Sequence, residues 1–203
     1  GRGIQVDFSF HMHGPQLYAG GYGLGYSADN IQWATLARGT VFSYSPERIA
    51  LLRDYVLEGQ QWMTRSQRFD FSAIGRQISR PGNGHVGALP RTCGNLAMLV
   101  PESAEACRAF KQRLSGPPDP ETALTGNRHF WTSDYMVHHR PAYFASVRMA
   151  STRTICSENT NGENAKGRYL ADGLLYVYRD CDEYAGVFPA WDWCRLPGVT
   201  AMQ

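Results

Sequence analysis

Three polar, glycine-rich stretches hold reactive side chains in a density that core packing does not require. The first runs Asp7-Phe8-Ser9-Phe10-His11-Met12-His13-Gly14 and continues through Tyr18 to Tyr22-Gly23. The second is Asp70-Phe71-Ser72-Ala73-Ile74-Gly75-Arg76-Gln77-Ile78-Ser79-Arg80-Pro81, and the third is Ser157-Glu158-Asn159-Thr160-Asn161-Gly162-Glu163-Asn164. Loops of this composition tend to carry sites. A histidine and a tyrosine suit proton transfer, and Arg76 and Arg80, four residues apart, offer planar forks for carboxylate or sulfate oxygens. Pairing Tyr and His with Arg differs from the two acids of a glycoside hydrolase.

Taken singly, each of these residues has an ordinary reading. His13 and Tyr22 could be surface or packing residues, Arg76 and Arg80 a solvated pair, and Glu158 and Asn161 turn formers. His11 and His13 alternate along one strand face, a spacing open to a metal, but no carboxylate-rich motif adjoins them. Gly20-Gly21-Tyr22-Gly23-Leu24-Gly25 has the look of a phosphate loop, yet it lacks Gly-Lys-Ser/Thr and a preceding apolar strand. No metal and no cofactor is expected.

Co-occurrence changes the reading. The segment Asp7-x-Ser9-Phe10-x-x-His13-Gly14, with Tyr22-Gly23 nine residues after the histidine, resembles a motif of polysaccharide lyase family eight, the chondroitin AC, hyaluronate and xanthan lyases. Gly75-Arg76-Gln77-Ile78-Ser79-Arg80-Pro81 matches the family's Gly-Arg-x-x-Ser-Arg-Pro. Glu158, Asn161, Glu163, Asn164 and Gly167 meet its Glu-x-x-Asn-x-Glu-Asn-x-x-Gly pattern, and Trp191-Asp192-Trp193-Cys194-Arg195-Leu196-Pro197-Gly198-Val199-Thr200 looks like its closing element. Four ordered motifs cover essentially the whole chain.

The resemblance implies β-elimination across C4 and C5 of a uronic acid in a glycosaminoglycan of the chondroitin or hyaluronan type. That reaction needs a base for the C5 proton, charge relief for the carboxylate and an acid for the leaving oxygen. On the family's pattern Tyr22 is the base and also the acid, and a phenol needs nearby cations for that task. Arg76 and a protonated His13 are the candidates, with Glu158 holding the arginines, and Arg80 and Asn161 contacting substrate. The implied partner is an anionic polysaccharide, with no nucleic acid and no membrane, and the implied location is secreted or periplasmic. The family's carboxylate-neutralising asparagine lies upstream of the histidine motif, and none precedes His13 here. The competing reading is an inactive relative or a binding fragment that uses arginines and tryptophans to hold an anionic polymer.

The elements that must position these residues divide the chain. With 203 residues, 43% of them hydrophobic, there is enough apolar material for a real core. The net charge of +2 announces no nucleic-acid binder, so any basic site must be local. Helices are expected over 28–37, from Ser45-Pro46-Glu47 along Ile49, Leu52 and Val56 toward Met63, and over 102–114. Gly116-Pro117-Pro118-Asp119-Pro120 must end the last of these. Strands are expected over 129–137, 143–149, 174–178 and 186–193, where aromatic and β-branched residues dominate.

The fold class is therefore α+β: the C-terminal helices of an α/α toroid over 1–115, a linker over 116–126, and the beginning of an antiparallel β-sandwich over 127–203, the toroid and sandwich being what the resemblance implies. Five irregularly spaced cysteines without a CxxC pair are read as buried thiols first and disulfides second. Core packing is the default for most of the tryptophans, and stacking on sugar rings is the alternative. No apolar run approaches the ~20 residues of a membrane-spanning helix. The chain opens without Met or the pattern of a signal peptide, directly into motif-like sequence, and is expected to be a piece of a longer polypeptide.

Overall fold

The computed structural model describes residues 1–192, Arg195 and Gly198. Two short strands, β1 (Gly3–Ile4) and β2 (Phe10–His11), pair antiparallel ahead of helix α1 (Tyr22–Ala37). This helix begins six residues before its expected start. It buries a narrow stripe of Gly23, Ser27, Ile31 and Ala34, and Gly23 is obligatory there because a Cβ would lie 2.2 Å from the Tyr55 hydroxyl.

Helix α2 (Pro46–Asp54) starts as its residues dictate. Ser45 caps it by accepting from the Arg48 amide at 3.5 Å, and Pro46 fills the first turn. It passes into a π turn over Tyr55–Gly59 and a 3₁₀ turn over Gln60–Met63, burying Tyr55, Val56 and Met63. A hairpin of β3 (Thr64–Arg65) and β4 (Arg68–Phe69) follows, then 3₁₀ turns at Phe71–Ala73 and Gly75–Ser79.

Helix α3 (Leu89–Leu99) was not expected. Gly94 in its middle weakens the local signal, yet Leu89, Thr92, Cys93 and Leu96 recur at helical spacing and face the core. It packs against α1 and against α4 (Ala104–Arg113), which buries Ala104, Cys107 and Phe110. Cys93 and Cys107 are buried thiols, and burial pushes the Cys93 thiol up to about 12; Cys194 lies outside the described residues.

The C-terminal part is a four-stranded antiparallel sheet of β5 (Gly126–Phe130), β6 (Tyr135–Arg140), β7 (Tyr143–Met149) and β8 (Asp172–Tyr178), in that order. The single strand expected over 129–137 is thus two strands. A turn at 131–134, with Asp134 at φ 48°, reverses the chain between them. No strand forms over 186–192, where Pro189 sits inside a 3₁₀ turn (Phe188–Ala190); Trp193 lies outside the described residues. Trp191 instead stacks on Phe71 at 5.7 Å with the rings 3° from parallel. Trp33 and Trp131 depart from the packing default, being 63% and 51% exposed.

Alternation on β6, β7 and β8 points Tyr135, Val137, Phe144, Leu174, Tyr176 and Tyr178 inward, into one hydrophobic core shared with the helical part. Polar pins cross the same join. Buried Asp70 accepts from the hydroxyls of Tyr135 at 2.6 Å and Tyr178 at 2.8 Å, and the Tyr178 oxygen accepts from the Phe71 amide at 2.8 Å. Arg65 donates to the carbonyls of Arg140, Pro141 and Arg179. The helical and strand-rich parts therefore meet through a packed and hydrogen-bonded surface.

Candidate active site

Three loops and a helix start build the site. The chain from His11 to Leu17 folds back on itself, with an antiparallel bridge between those two residues and the Met12 amide donating to the Gln16 carbonyl at 3.3 Å. The apex is His13-Gly14, both at positive φ (58° and 102°). His11 and His13 do not share a face: His11 is buried, with Nε2 2.9 Å from the Ser133 hydroxyl, whereas His13 stands at the tip. The alternating pair, whose spacing alone was open to a metal, thus serves two separate surroundings.

Past the loop, Tyr18 turns its ring into the protein, fully buried. Gly21 lies along one edge of that ring, where a Cβ would come within 2.3 Å of Tyr18 Cε1. Gly75 lies along the other, where a Cβ would come within 2.5 Å of Cε2, and its φ of 56° suits glycine. Each glycine is followed directly by a candidate residue, Tyr22 and Arg76. The Gly20 amide donates to the Ala73 carbonyl at 2.9 Å, tying the two segments together.

From the strand-rich part comes the 155–167 loop. The Glu158 amide donates to Gln16 Oε1 at 2.9 Å, and the Asn164 amide nitrogen donates to the Glu158 carbonyl at 3.2 Å. Asn164 in turn fits against Gly167, where any Cβ would collide with its side-chain amide, which accounts for the glycine at that place in the motif.

These pieces converge on a charged network. His13 Nδ1 lies 2.8 Å from Glu158 Oε2, and Arg76 Nη1 pairs with Oε1 of the same carboxylate. A ring nitrogen facing a carboxylate carries its proton, so the 3.4 Å approach of Arg76 Nη1 to His13 Nδ1 is two donors sharing Glu158, and Nε2 makes no hydrogen bond among the described residues. Arg76 Nε donates to Glu163 Oε2 at 2.9 Å. Arg80 donates to Glu163 through Nε at 2.8 Å and Nη2 at 3.0 Å. The Tyr22 ring stands edge-on to His13 and to Tyr18, with centroids 5.0 Å away in both cases.

Burial grades across the site. Arg76 is 5% exposed and Tyr22 38%. Burial works against the Arg76 charge, but the neighbouring Tyr22 and Tyr18 phenols and Glu158 together hold it firmly protonated, above the usual arginine range. Burial pushes the Tyr18 phenol up to about 12, and its hydroxyl has no hydrogen-bond partner among the described residues. Hydrogen bonds from Arg80 hold Glu163 below the ordinary carboxylate range. The arrangement presents a half-exposed tyrosine oxygen beside a fixed cation and an imidazole, the equipment for moving a proton where negative charge develops.

Of the six residues singled out from the sequence, His13 and Arg76 both pair with Glu158, Tyr22 stands edge-on to His13, and Arg80 joins them through Glu163. Asn161 does not join them. It occupies an exposed left-handed turn position (φ 62°), and among the described residues no hydrogen bond links it to Glu158, Arg76 or Arg80. Glu163 takes the bridging place. It stood in the same motif, and its spacing five residues beyond Glu158 was the available signal.

The chain belongs to polysaccharide lyase family 8. Residues 1–112 match the family's N-terminal alpha-helical domain and residues 125–203 its super-sandwich domain. It is 32% identical over 205 residues to chondroitinase-AC of Pedobacter heparinus, covering 98% of this chain and 29% of that protein. It is 25% identical to xanthan lyase of Bacillus sp. strain GL1, covering 98% of this chain and 25% of that one. A solved chondroitinase AC lyase structure, described from enzyme–oligosaccharide complexes, superposes with a TM-score of 0.90 over 97% of this chain and 29% of that chain, at 32% identity. The chain thus spans less than a third of the length of these relatives.

Proposed function

We propose that the protein carrying this chain is a polysaccharide lyase that cleaves a uronic-acid-containing glycosaminoglycan, of the chondroitin or hyaluronan type, by β-elimination. The observation that carries this reading is the pairing of His13 and Arg76 with one carboxylate, Glu158, while the partly exposed Tyr22 stands edge-on to His13. Tyr22 takes the C5 proton and then donates one to the departing glycosidic oxygen. Arg76, held protonated, is the fixed cation for the negative charge that develops during proton transfer. Nε2 of His13 faces substrate, and Arg80, half exposed, meets carboxylate or sulfate oxygens. Glu158 and Glu163 hold the two arginines.

A chondroitinase-AC among the relatives at 32% identity supports the choice of polymer. Such a polymer is too large to enter a cell intact, so the reading includes a secreted or periplasmic location; no described helix is long and apolar enough to cross a membrane.

Elimination leaves a C4–C5 double bond conjugated to the carboxylate, and hydrolysis does not. The test is to incubate the full-length enzyme with chondroitin, dermatan and hyaluronan and follow ultraviolet absorbance. New absorbance with a uronate polymer supports the reading, and cleavage without it overturns it.

A further inference from the structure

Arg148 is a buried cation that the chemistry leaves unused. It sits on β7 facing inward, 2% exposed, on a sheet face otherwise filled mainly by aromatic and aliphatic side chains. The register of β7 against β8 shifts directly after it, between Arg148 and Met149, the kind of irregularity that aims a side chain. An arginine in such a place is costly to desolvate, and hydrogen bonds to its N–H groups offset that cost. Three backbone carbonyls accept them. Nη1 donates to Ser72 at 2.9 Å, and Nη2 donates to Cys156 at 2.6 Å and Ile155 at 3.2 Å.

Those carbonyls belong to the two segments that deliver the central ion pair. Ser72 lies four residues before Arg76, in the turn leading to Gly75. Ile155 and Cys156 lead directly into Glu158. The Ile155 amide also donates to the Pro15 carbonyl at 3.1 Å, which brings in the His13 loop. A planar fork can span segments that diverge in this way, whereas the single ammonium of a lysine cannot hold all three carbonyls at these angles.

We propose that Arg148 is a positioning residue of the active site: its guanidinium sets the separation between the Arg76 turn and the Glu158 loop, and through them the placement of Arg76 beside Tyr22. The inference rests on the reading of Tyr22, Arg76 and Glu158 as catalytic. A catalytic group displaced by about an ångström loses much of its rate. Substrate contacts through Arg80 are separate from this clamp.

The test compares full-length wild-type, Arg148→Lys, Glu158→Ala and the double variant for kcat, KM and melting temperature. Arg148→Lys is expected to fold, to lose at least ~10-fold in kcat with KM changed less than ~3-fold, and to lose little more when Glu158→Ala is added, because both act on one ion pair. Turnover within twofold of wild type, or losses that multiply in the double variant, would overturn the positioning role. Arg148→Gln is the second variant, and failure of both to fold would assign Arg148 to core assembly instead. Hydrogen exchange provides an activity-independent readout, with faster exchange in Arg148→Lys expected around 72–80 and 155–163. If wild type eliminates no uronate polymer, the catalytic reading fails by itself, and unchanged exchange in the variant sinks the clamp.

Discussion

Gly75 rests against the Cδ2–Cε2 edge of Tyr18 so closely that an added Cβ would lie 2.5 Å from the ring. With Gly21 on the opposite edge, the ring is a gauge between the residues that follow each glycine, Tyr22 and Arg76. Gly75→Ala should therefore do two things at once. It should lower stability by about 1–3 kcal/mol through the positive φ and the overlap, and reduce kcat at least ~10-fold by moving Arg76. Thermal melting and ultraviolet turnover check both. A variant that melts earlier but turns over normally would separate Tyr18 from catalysis.

Tyr22→Phe removes only the oxygen that moves the proton. Elimination should fall by at least ~100-fold while affinity for the polymer stays within a few-fold. Binding measured on immobilised chondroitin alongside the absorbance assay provides the comparison. Near-normal turnover would remove Tyr22 from the role of base.

Glu158→Ala should lower kcat at least ~10-fold, because Arg76 and His13 both lose the carboxylate they share. A turn former would chiefly lower the melting temperature. Glu163→Gln addresses both arginines: Arg80 loses the charge on its bidentate partner, and Arg76 loses the charge on the carboxylate that its Nε meets. KM should rise through Arg80 and kcat should fall through Arg76, and unchanged values of both would remove Glu163 from the site.

His139 tests pH dependence away from the site. It is buried, its Nε2 donates to the Trp62 carbonyl at 2.9 Å, and burial lowers its pKa from 6.5 to about 4. The folded state thus binds the proton less readily than the unfolded chain. The stability involved is fully present above pH 6.5 and is lost as pH falls from 6.5 toward 4. At ~1.4 kcal/mol per pH unit the loss is on the order of 3 kcal/mol. His139→Gln should flatten the melting temperature across that window, and an unchanged slope would show that other groups set it.

Much of this was legible in the residues, and the gaps have physical causes. The α2 start was readable because Ser45, Pro46 and Glu47 are local signals that need no partner. Helix α3 was missed because Gly94 in its middle speaks against a helix locally, and packing on α1 and α4 outweighs it. The run over 129–137 looked continuous because its turn uses Trp131, Thr132, Ser133 and Asp134, where neither Gly nor Pro marks the reversal. In the site, the motifs shared with the lyase family singled out His13, Tyr22, Arg76 and Glu158, each of which alone has an ordinary structural reading. They could not distinguish Asn161 from Glu163, since both stand in one motif and only the fold of the loop decides which side chain turns toward the arginines.

The pinning of Asp70 by Tyr135 and Tyr178 bears on recombination among relatives. A chimera that joins the first half of this chain to the sheet of another lyase inherits a fully enclosed carboxylate, and unless the incoming strands bring both hydroxyls, that carboxylate loses hydrogen bonds that hold its charge. Donor and acceptor on either side of the junction form a compatibility key. Crossovers near 116–125 should give soluble protein when the key is transferred intact and misassembled protein when a phenylalanine replaces either tyrosine.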